Sequence, residues 1–395
     1  MDNTTLFDKI LNHKESNHCI VANPYLHILR NHPEFLKVYN TSQVEKLWLS
    51  IRSKLIFLVR IFQSMFNGKY DYLYNESVKF DVLFVSHLTN EQQLLKGDDV
   101  YFSDLTDQLL GHGVSSGISL IKHTKVNKHK ILNGWIGSKI PRFILSSSLN
   151  FLTEVNLYLA QKKTKRQLKS ILEDLRIDEK LAKDILRYHL SSGTLNSHRV
   201  AKQVADIVRK TGAKFVVTTY EGHAWERLVY YYVRKINPNI KCLGYQHAAI
   251  FKHQHAIKRS LGNEYDPDII LTSGLISKDI FKQWQLKGSE VVCMGSPKHL
   301  KPNITTGKNQ SCLVVPEGFV SECLILFNIS LEYAKQHRSQ RFIWRLHPLL
   351  SFKKLKKQSS IFKNLPDNIT LSEANLEDDI NQCDNYTSGS ITFYK

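Results

Sequence analysis

Carboxylate, imidazole and hydroxyl groups in this sequence repeatedly follow short apolar runs, where a parallel sheet would present them to a ligand. After KFVVTTY comes Glu221-Gly222-His223. A carboxylate at a strand end can take a proton from an acceptor hydroxyl, with His223 as the other candidate base, and Gly222 lets another molecule approach the backbone. Glu221 also has a plainer reading, as a carboxylate favoured by the positive end of the helix that follows. After IKCLGY come Gln246 and His247, read as polar groups lining a cleft, with His253 and His255 close behind. No Cys or carboxylate stands at ligand spacing from these histidines, so no metal is expected.

Further along, SCLVV is followed by Pro316-Glu317-Gly318 and then a helical pattern. The free amides of that helix start could receive a donor phosphate or ribose, or the segment could be an ordinary turn. RFIWRL is followed by His347-Pro348, in which proline stops the strand and leaves an imidazole at the sheet's carboxyl edge. Such a histidine can donate to a phosphate oxygen and stabilise a leaving group. The closing segment CDNYTSGS adds hydroxyls, Ser388 and Ser390 among them, that could bind the same phosphate without a metal or other cofactor.

The elements that must position these groups read as alternating β and α. Strand-like runs are expected at 80–86, 214–220, 240–245, 268–272, 290–294, 311–315, 341–346 and 368–371, with helices at 164–188, 197–211, 224–236, 277–286 and 320–337 between them. Continuous rather than alternating apolar runs mean strands covered on both faces. Residues 295–310, GSPKHLKPNITTGKNQ, lack apolar periodicity and read as the region of an interdomain linker.

At 395 residues the chain suits two domains, and its 42% apolar and 23% charged residues are those of a globular protein. The excess of 54 Lys+Arg over 36 Asp+Glu gives +18 and favours anionic partners. Zinc-finger spacing, RNP-like strands and basic arms are absent, which argues against nucleic acid. Six scattered cysteines and an N-terminus without a basic-then-apolar leader point to a reduced, cytoplasmic compartment. One segment, 45–66, is apolar at helical spacing but holds Arg52, Lys54 and Arg60, which excludes a spanning helix. Packing on the first domain is the favoured expectation for it, and an interfacial helix at the inner face of the plasma membrane is the alternative.

Taken in order, the Glu-Gly pair, the R-x-H-P motif of Arg345, His347 and Pro348, and the serines resemble the bacterial sialyltransferases, polysialyltransferases and capsule Kdo transferases. Tyr220 stands where several of these enzymes carry a first acidic residue. The resemblance spans about residues 215–390 and implies an α/β fold of GT-B type, with two doubly wound Rossmann-like domains facing a cleft. It implies an acceptor-side domain at 1–298 with a helical region at 1–78, a linker at 299–310, and a nucleotide-sugar domain at 311–395 that ends before the further helices such a domain carries. By the same resemblance Glu221 is the base, His347 contacts the phosphate of a CMP-linked acidic sugar, and Ser388 and Ser390 bind it too. Glu317, Gly318, Arg345 and Pro348 then line the donor site, and a surface polysaccharide or glycolipid is the acceptor. Lys353, Lys354, Lys356 and Lys357 would draw in anionic substrates. A GT-B-like enzyme with a UDP- or CDP-linked donor and an inactive glycan- or membrane-binding scaffold are the other readings.

Overall fold

The computed structural model describes residues 3–28, 42–66, 71–72, 78–89, 93, 99–124, 131, 140–250, 254–284, 286, 288–297, 311–316, 318–347, 350–374, 376–383, 385–388 and 392–394. The chain divides into two compact units, Met1–Lys298 and His299–Lys395. The expected linker, 299–310, lies outside the described residues.

The first unit is built on one eight-stranded sheet. Its strands are β1 (Asp71–Tyr72), β2 (Val82–Leu88), β3 (Ser116–Lys122), β4 (Arg142–Ile144), β5 (Phe215–Thr219), β6 (Lys241–Gln246), β7 (Ile269–Thr272) and β8 (Glu290–Cys293). Their order is β1-β4-β3-β2-β5-β6-β7-β8, and all pairings are parallel except that of β1 with β4. Along β2 the side chains alternate between two cores: Leu83 and Val85 enter the larger, beside Val204, Leu228 and Val233 of two long helices, while Val82 and Phe84 enter the smaller, beside Phe102 and Ile118. Burial on both faces is why these strands read as unbroken apolar runs. β3 escapes that pattern because Ser116, Gly117 and Ser119 dilute its run, and Gly117 is required because a Cβ there would come within 2.7 Å of the Phe80 ring.

The helix expected at 164–188 is two helices, Phe151–Asp174 and Glu179–Tyr188. Arg176 takes a positive φ of 52° at the break, and the Asp178 carboxylate caps the second helix by accepting from the Lys180 and Leu181 N–H groups. The first of these helices is tied to the Ser192–Thr211 helix by a buried bidentate pair, in which Arg199 Nε and Nη2 donate to Glu154 at 2.7 and 2.9 Å.

The second unit holds β9 (Ser311–Val315), β10 (Arg341–Trp344), β11 (Ile369–Leu371), β12 (Asn385–Ser388) and β13 (Thr392–Tyr394) in the order β11-β10-β9-β12-β13, with only β13 antiparallel. Its core stacks Trp344 on Phe327 of the Val320–Gln336 helix, ring centroids 4.4 Å apart. Each unit is a doubly wound, Rossmann-like α/β sheet.

Glu154→Ala is expected to cost about 3–5 kcal/mol of unfolding free energy, because it strands the buried Arg199 charge. The double change Glu154→Leu with Arg199→Met should recover most of that loss. Urea denaturation of both variants checks this.

Candidate functional site

In a doubly wound sheet, ligands bind where the strand order reverses, outside the carboxyl ends of the two strands that flank the reversal. In the first unit the chain steps from β2 outward to β3 and β4, then returns to place β5 on the other side of β2. The reversal therefore lies between β2 and β5. His87 is at the end of β2, and Glu221 and His223 follow β5.

The loop after β5 is held from below by Glu226, in the first turn of the Ala224–Ile236 helix. Its carboxylate accepts from the Gly222 and His223 N–H groups at 2.8 Å and from the Glu221 N–H at 3.1 Å. Complete burial pushes the Glu226 carboxyl up to about 7, even though the imidazole of His223 and these amides favour the charged form. Gly222 is at φ 85°, and a Cβ there would lie 2.3 Å from the Ala256 carbonyl carbon. The space that glycine opens is thus filled by the chain's own 256–257 backbone, which corrects the expectation that it admits another molecule.

Above this floor His223 Nε2 and Glu221 Oε2 are 3.1 Å apart. Burial alone would raise the Glu221 carboxyl, but the hydrogen bond from His223 and the positive potentials of His223 and His247 hold it below its ordinary 4.5. Burial opposes charge on His223 too, yet the bond to Glu221 and the carboxylates of Glu226 and Glu221 raise it above its ordinary 6.5. The two form an ion pair that is partly open to solvent.

His87 sits beside them and is of the opposite kind. Burial, reinforced by the positive potentials of His123, His223 and His247, pushes it down to about 3, so it is neutral at physiological pH. Its Nδ1 is 2.8 Å from His123 Nε2, a contact in which one ring must donate and the other accept. Tyr101 and Trp225 stand edge-on to His87, centroids 5.5 and 5.4 Å away, and Tyr101 also meets His247 at 4.6 Å. The structure thus gathers Glu221, His223 and His247 with His87, His123, Tyr101, Trp225 and Glu226, which the sequence did not single out.

Gln246 is not part of this surface. It is buried, and its amide donates to the Ala248 carbonyl, fixing its own turn. Tyr220 is buried as well, with its ring 5.3 Å from the Arg227 guanidinium, so the position preceding Glu221 belongs to the core.

In the second unit the reversal lies between β9 and β12. His347 follows β10, and its Nδ1 would be 3.3 Å from a Cβ on Gly318, which follows β9. Ser388 ends β12 opposite Val315 of β9, in a strand that the sequence reading did not single out. Arg345 is turned elsewhere: its Nη1 donates to Asp379 at 2.7 Å and to the Ala374 carbonyl at 2.6 Å, which makes it a structural tie rather than an open phosphate ligand. Glu317, Pro348 and Ser390 lie outside the described residues, as does His253. Among the described residues no group of three or more His, Cys, Asp or Glu is arranged to hold a metal. No described helix is long and apolar enough to cross a membrane.

No family profile and no curated protein matches the chain. Solved structures similar to it include the UDP-GlcNAc 2-epimerase from Neisseria meningitidis bound to UDP-GlcNAc, at 12% identity and TM-score 0.43, over 78% of this chain and 77% of that one. MurG from Acinetobacter baumannii is similar at 10% identity and TM-score 0.38, over 78% and 71% of the two chains. CalG4, the calicheamicin glycosyltransferase, is similar at 10% identity and TM-score 0.38, over 78% and 75%. The likeness is one of chain course and not of sequence.

Gly222→Ala is expected to cost at least about 1–3 kcal/mol from its positive φ alone, with the clash on Ala256 in addition. Glu226→Ala, which leaves amide donors without an acceptor, should cost about 1–3 kcal/mol. Chemical denaturation midpoints of the two variants check both values.

Proposed function

We propose that the chain transfers a glycosyl group from a nucleotide-activated sugar to an acceptor hydroxyl. The observation that carries this reading is the Glu221–His223 ion pair at the reversal of the first sheet, beside a neutral His87 and the aromatic edges of Tyr101 and Trp225. An acceptor hydroxyl there loses its proton to the pair as its oxygen attacks the anomeric carbon. The bond from that carbon to the phosphate oxygen breaks, and its electrons leave with the nucleotide. Aromatic edges suit the apolar faces of a sugar ring. In the second unit, Gly318 and His347 beside the β9–β12 reversal offer a place for the nucleotide phosphate, with the His347 imidazole as donor.

The resemblance to sialyl- and Kdo transferases supports a CMP-linked acidic sugar and a surface glycan or glycolipid acceptor. A UDP-linked donor is the second reading, since Arg345, one member of the R-x-H-P motif, is committed to Asp379. An inactive scaffold is the outcome if no nucleotide binds. In thermal unfolding with CMP, CDP and UDP, the nucleotide of the donor should stabilise the fold by about 2.7 kcal/mol at a hundredfold over its Kd. Stabilisation by none of them sinks the transfer reading. His347→Ala should weaken that binding and slow transfer by roughly a hundred- to a thousandfold.

The pH dependence separates the two candidate bases. Glu221 is ionised above its lowered value, so a Glu221 base gives a rate that is flat from about pH 5 upward. A His223 base, held in place by Glu221, gives a rate that climbs with pH through a midpoint above 6.5. Stability moves differently. The Glu221 contribution is present above 4.5 and lost as pH falls through its depressed value, while the His223 contribution is full below 6.5 and lost as pH rises through its elevated one. The loop is therefore most firmly paired between 4.5 and 6.5, and rate profiles of wild type, Glu221→Gln and His223→Gln give the assignment.

A further inference from the structure

The Gln43–Phe66 helix lies on the first unit by one face only. Lys46 is buried in an ion pair with Asp184, and Phe57 stacks on Tyr158 of the Phe151–Asp174 helix with centroids 4.4 Å apart. The opposite face is apolar and open: Leu47, Trp48 and Leu58 are 62%, 62% and 61% exposed, and Val44, Ile51 and Leu55 continue the stripe. At about 100° per residue these positions fill a sector roughly 120° wide, and the exposed cations Arg52 and Lys54 fall just outside its two borders. Glu45 is the helix's single acid, and it is used at the N-terminus, where its carboxylate accepts from the Ser42 N–H and hydroxyl. The neighbouring helix continues the same character, with exposed Leu152 and Leu159 and exposed Lys162, Lys163 and Arg166.

We infer that this face docks on the surface of an anionic phospholipid membrane, with the helix lying in the headgroup plane. An apolar sector with one long cationic side chain at each border, Arg52 and Lys54, fits that environment, since those chains reach the phosphates while the sector enters the acyl boundary. A second copy of the chain fits it poorly. Arg52 and Lys54 lie near the middle of the helix, so two-fold antiparallel pairing would set cations against cations with no acid to meet them. The Phe151–Asp174 helix follows β4, so its first turns lie at the carboxyl edge of the sheet, and Arg60 comes close enough to Glu154 and Arg199 there to feel their charges. The docked helix therefore carries its C-terminal end toward the edge that bears Glu221 and His223.

The test is flotation of the full chain with vesicles of phosphatidylcholine alone and of phosphatidylcholine with phosphatidylglycerol. The wild type should float with the anionic vesicles, and Trp48→Glu with Leu58→Glu should lower the bound fraction about tenfold or more. Arg52→Ala with Lys54→Ala, a milder change at exposed positions, should abolish the preference for phosphatidylglycerol. Circular dichroism confirms that each variant is folded, and Trp48 fluorescence in the wild type should be quenched by brominated lipid. Wild type that stays unbound overturns the proposal, as does binding unchanged in both variants. A solution mass that halves in the Trp48→Glu, Leu58→Glu variant, with no vesicle binding by wild type, assigns the face to self-association instead.

Discussion

The first unit hangs on a guanidinium with no access to solvent. Arg227 pairs with Asp266 and donates through Nη2 to the Arg259 carbonyl at 2.7 Å, and Asp266 in turn accepts from the Ser260 hydroxyl and the Leu261 and Gly262 N–H groups. Arg259 extends the network to Asp8 and to the Leu26 carbonyl, and the Ala256 N–H donates to the Ile28 carbonyl. An irregular segment and the N-terminal helices are thereby fixed by charge where no ladder could fix them. Buried pairs of this kind add little net stability, but either partner alone is costly, so they define one arrangement. What they define here is the 256–257 backbone, and it is this backbone that presses on Gly222 and sets the loop carrying Glu221 and His223.

The same site shows one environment producing opposite protonation states. His223 gains a carboxylate partner and is driven toward its charged form, whereas His87, a ring away and surrounded by other imidazoles, is driven to neutrality. Burial acts in the same direction on both, so the difference comes from their neighbours. The histidines of this cluster are thus sorted by their neighbours, His223 toward its charged form and His87 toward its neutral one.

Much of the architecture was legible because strands buried on both faces leave continuous apolar runs, as β2, β5, β6, β9 and β10 do, and the partly exposed β7, β8 and β11 keep short apolar runs as well. β3 and β4 were not, the first because Ser116, Ser119 and a Gly117 that makes room for Phe80 break its apolar run, the second because three residues are too short to show a period. β12 and β13 hide in a segment rich in small polar residues. Within the site, Glu221, His223 and His247 were legible as polar residues at strand ends. His87 also follows a strand-like run, 80–86, but was passed over, because only strand order places the end of β2 beside the loop after β5, and no local pattern encodes strand order. Arg345 and Gln246 were misread for a related reason: the groups that occupy them, Asp379 and Ala248, are partners in space or in a turn whose geometry the sequence does not disclose. Glu226 did carry a signal, an acid three residues into a helix, but its cap is His223 rather than Ser or Thr.

The pairing of β2 with β5 joins Val85 to Thr218 across a long excursion of chain that holds β3, β4 and three long helices. Loop closure on that scale makes such a contact slow to form relative to local ones. His87 and Glu221 sit just beyond that seam, so neither residue has its site until the seam has closed. The depressed imidazole of His87 is consequently a marker of the closing of that seam, and an NMR titration of that one ring during refolding would time it.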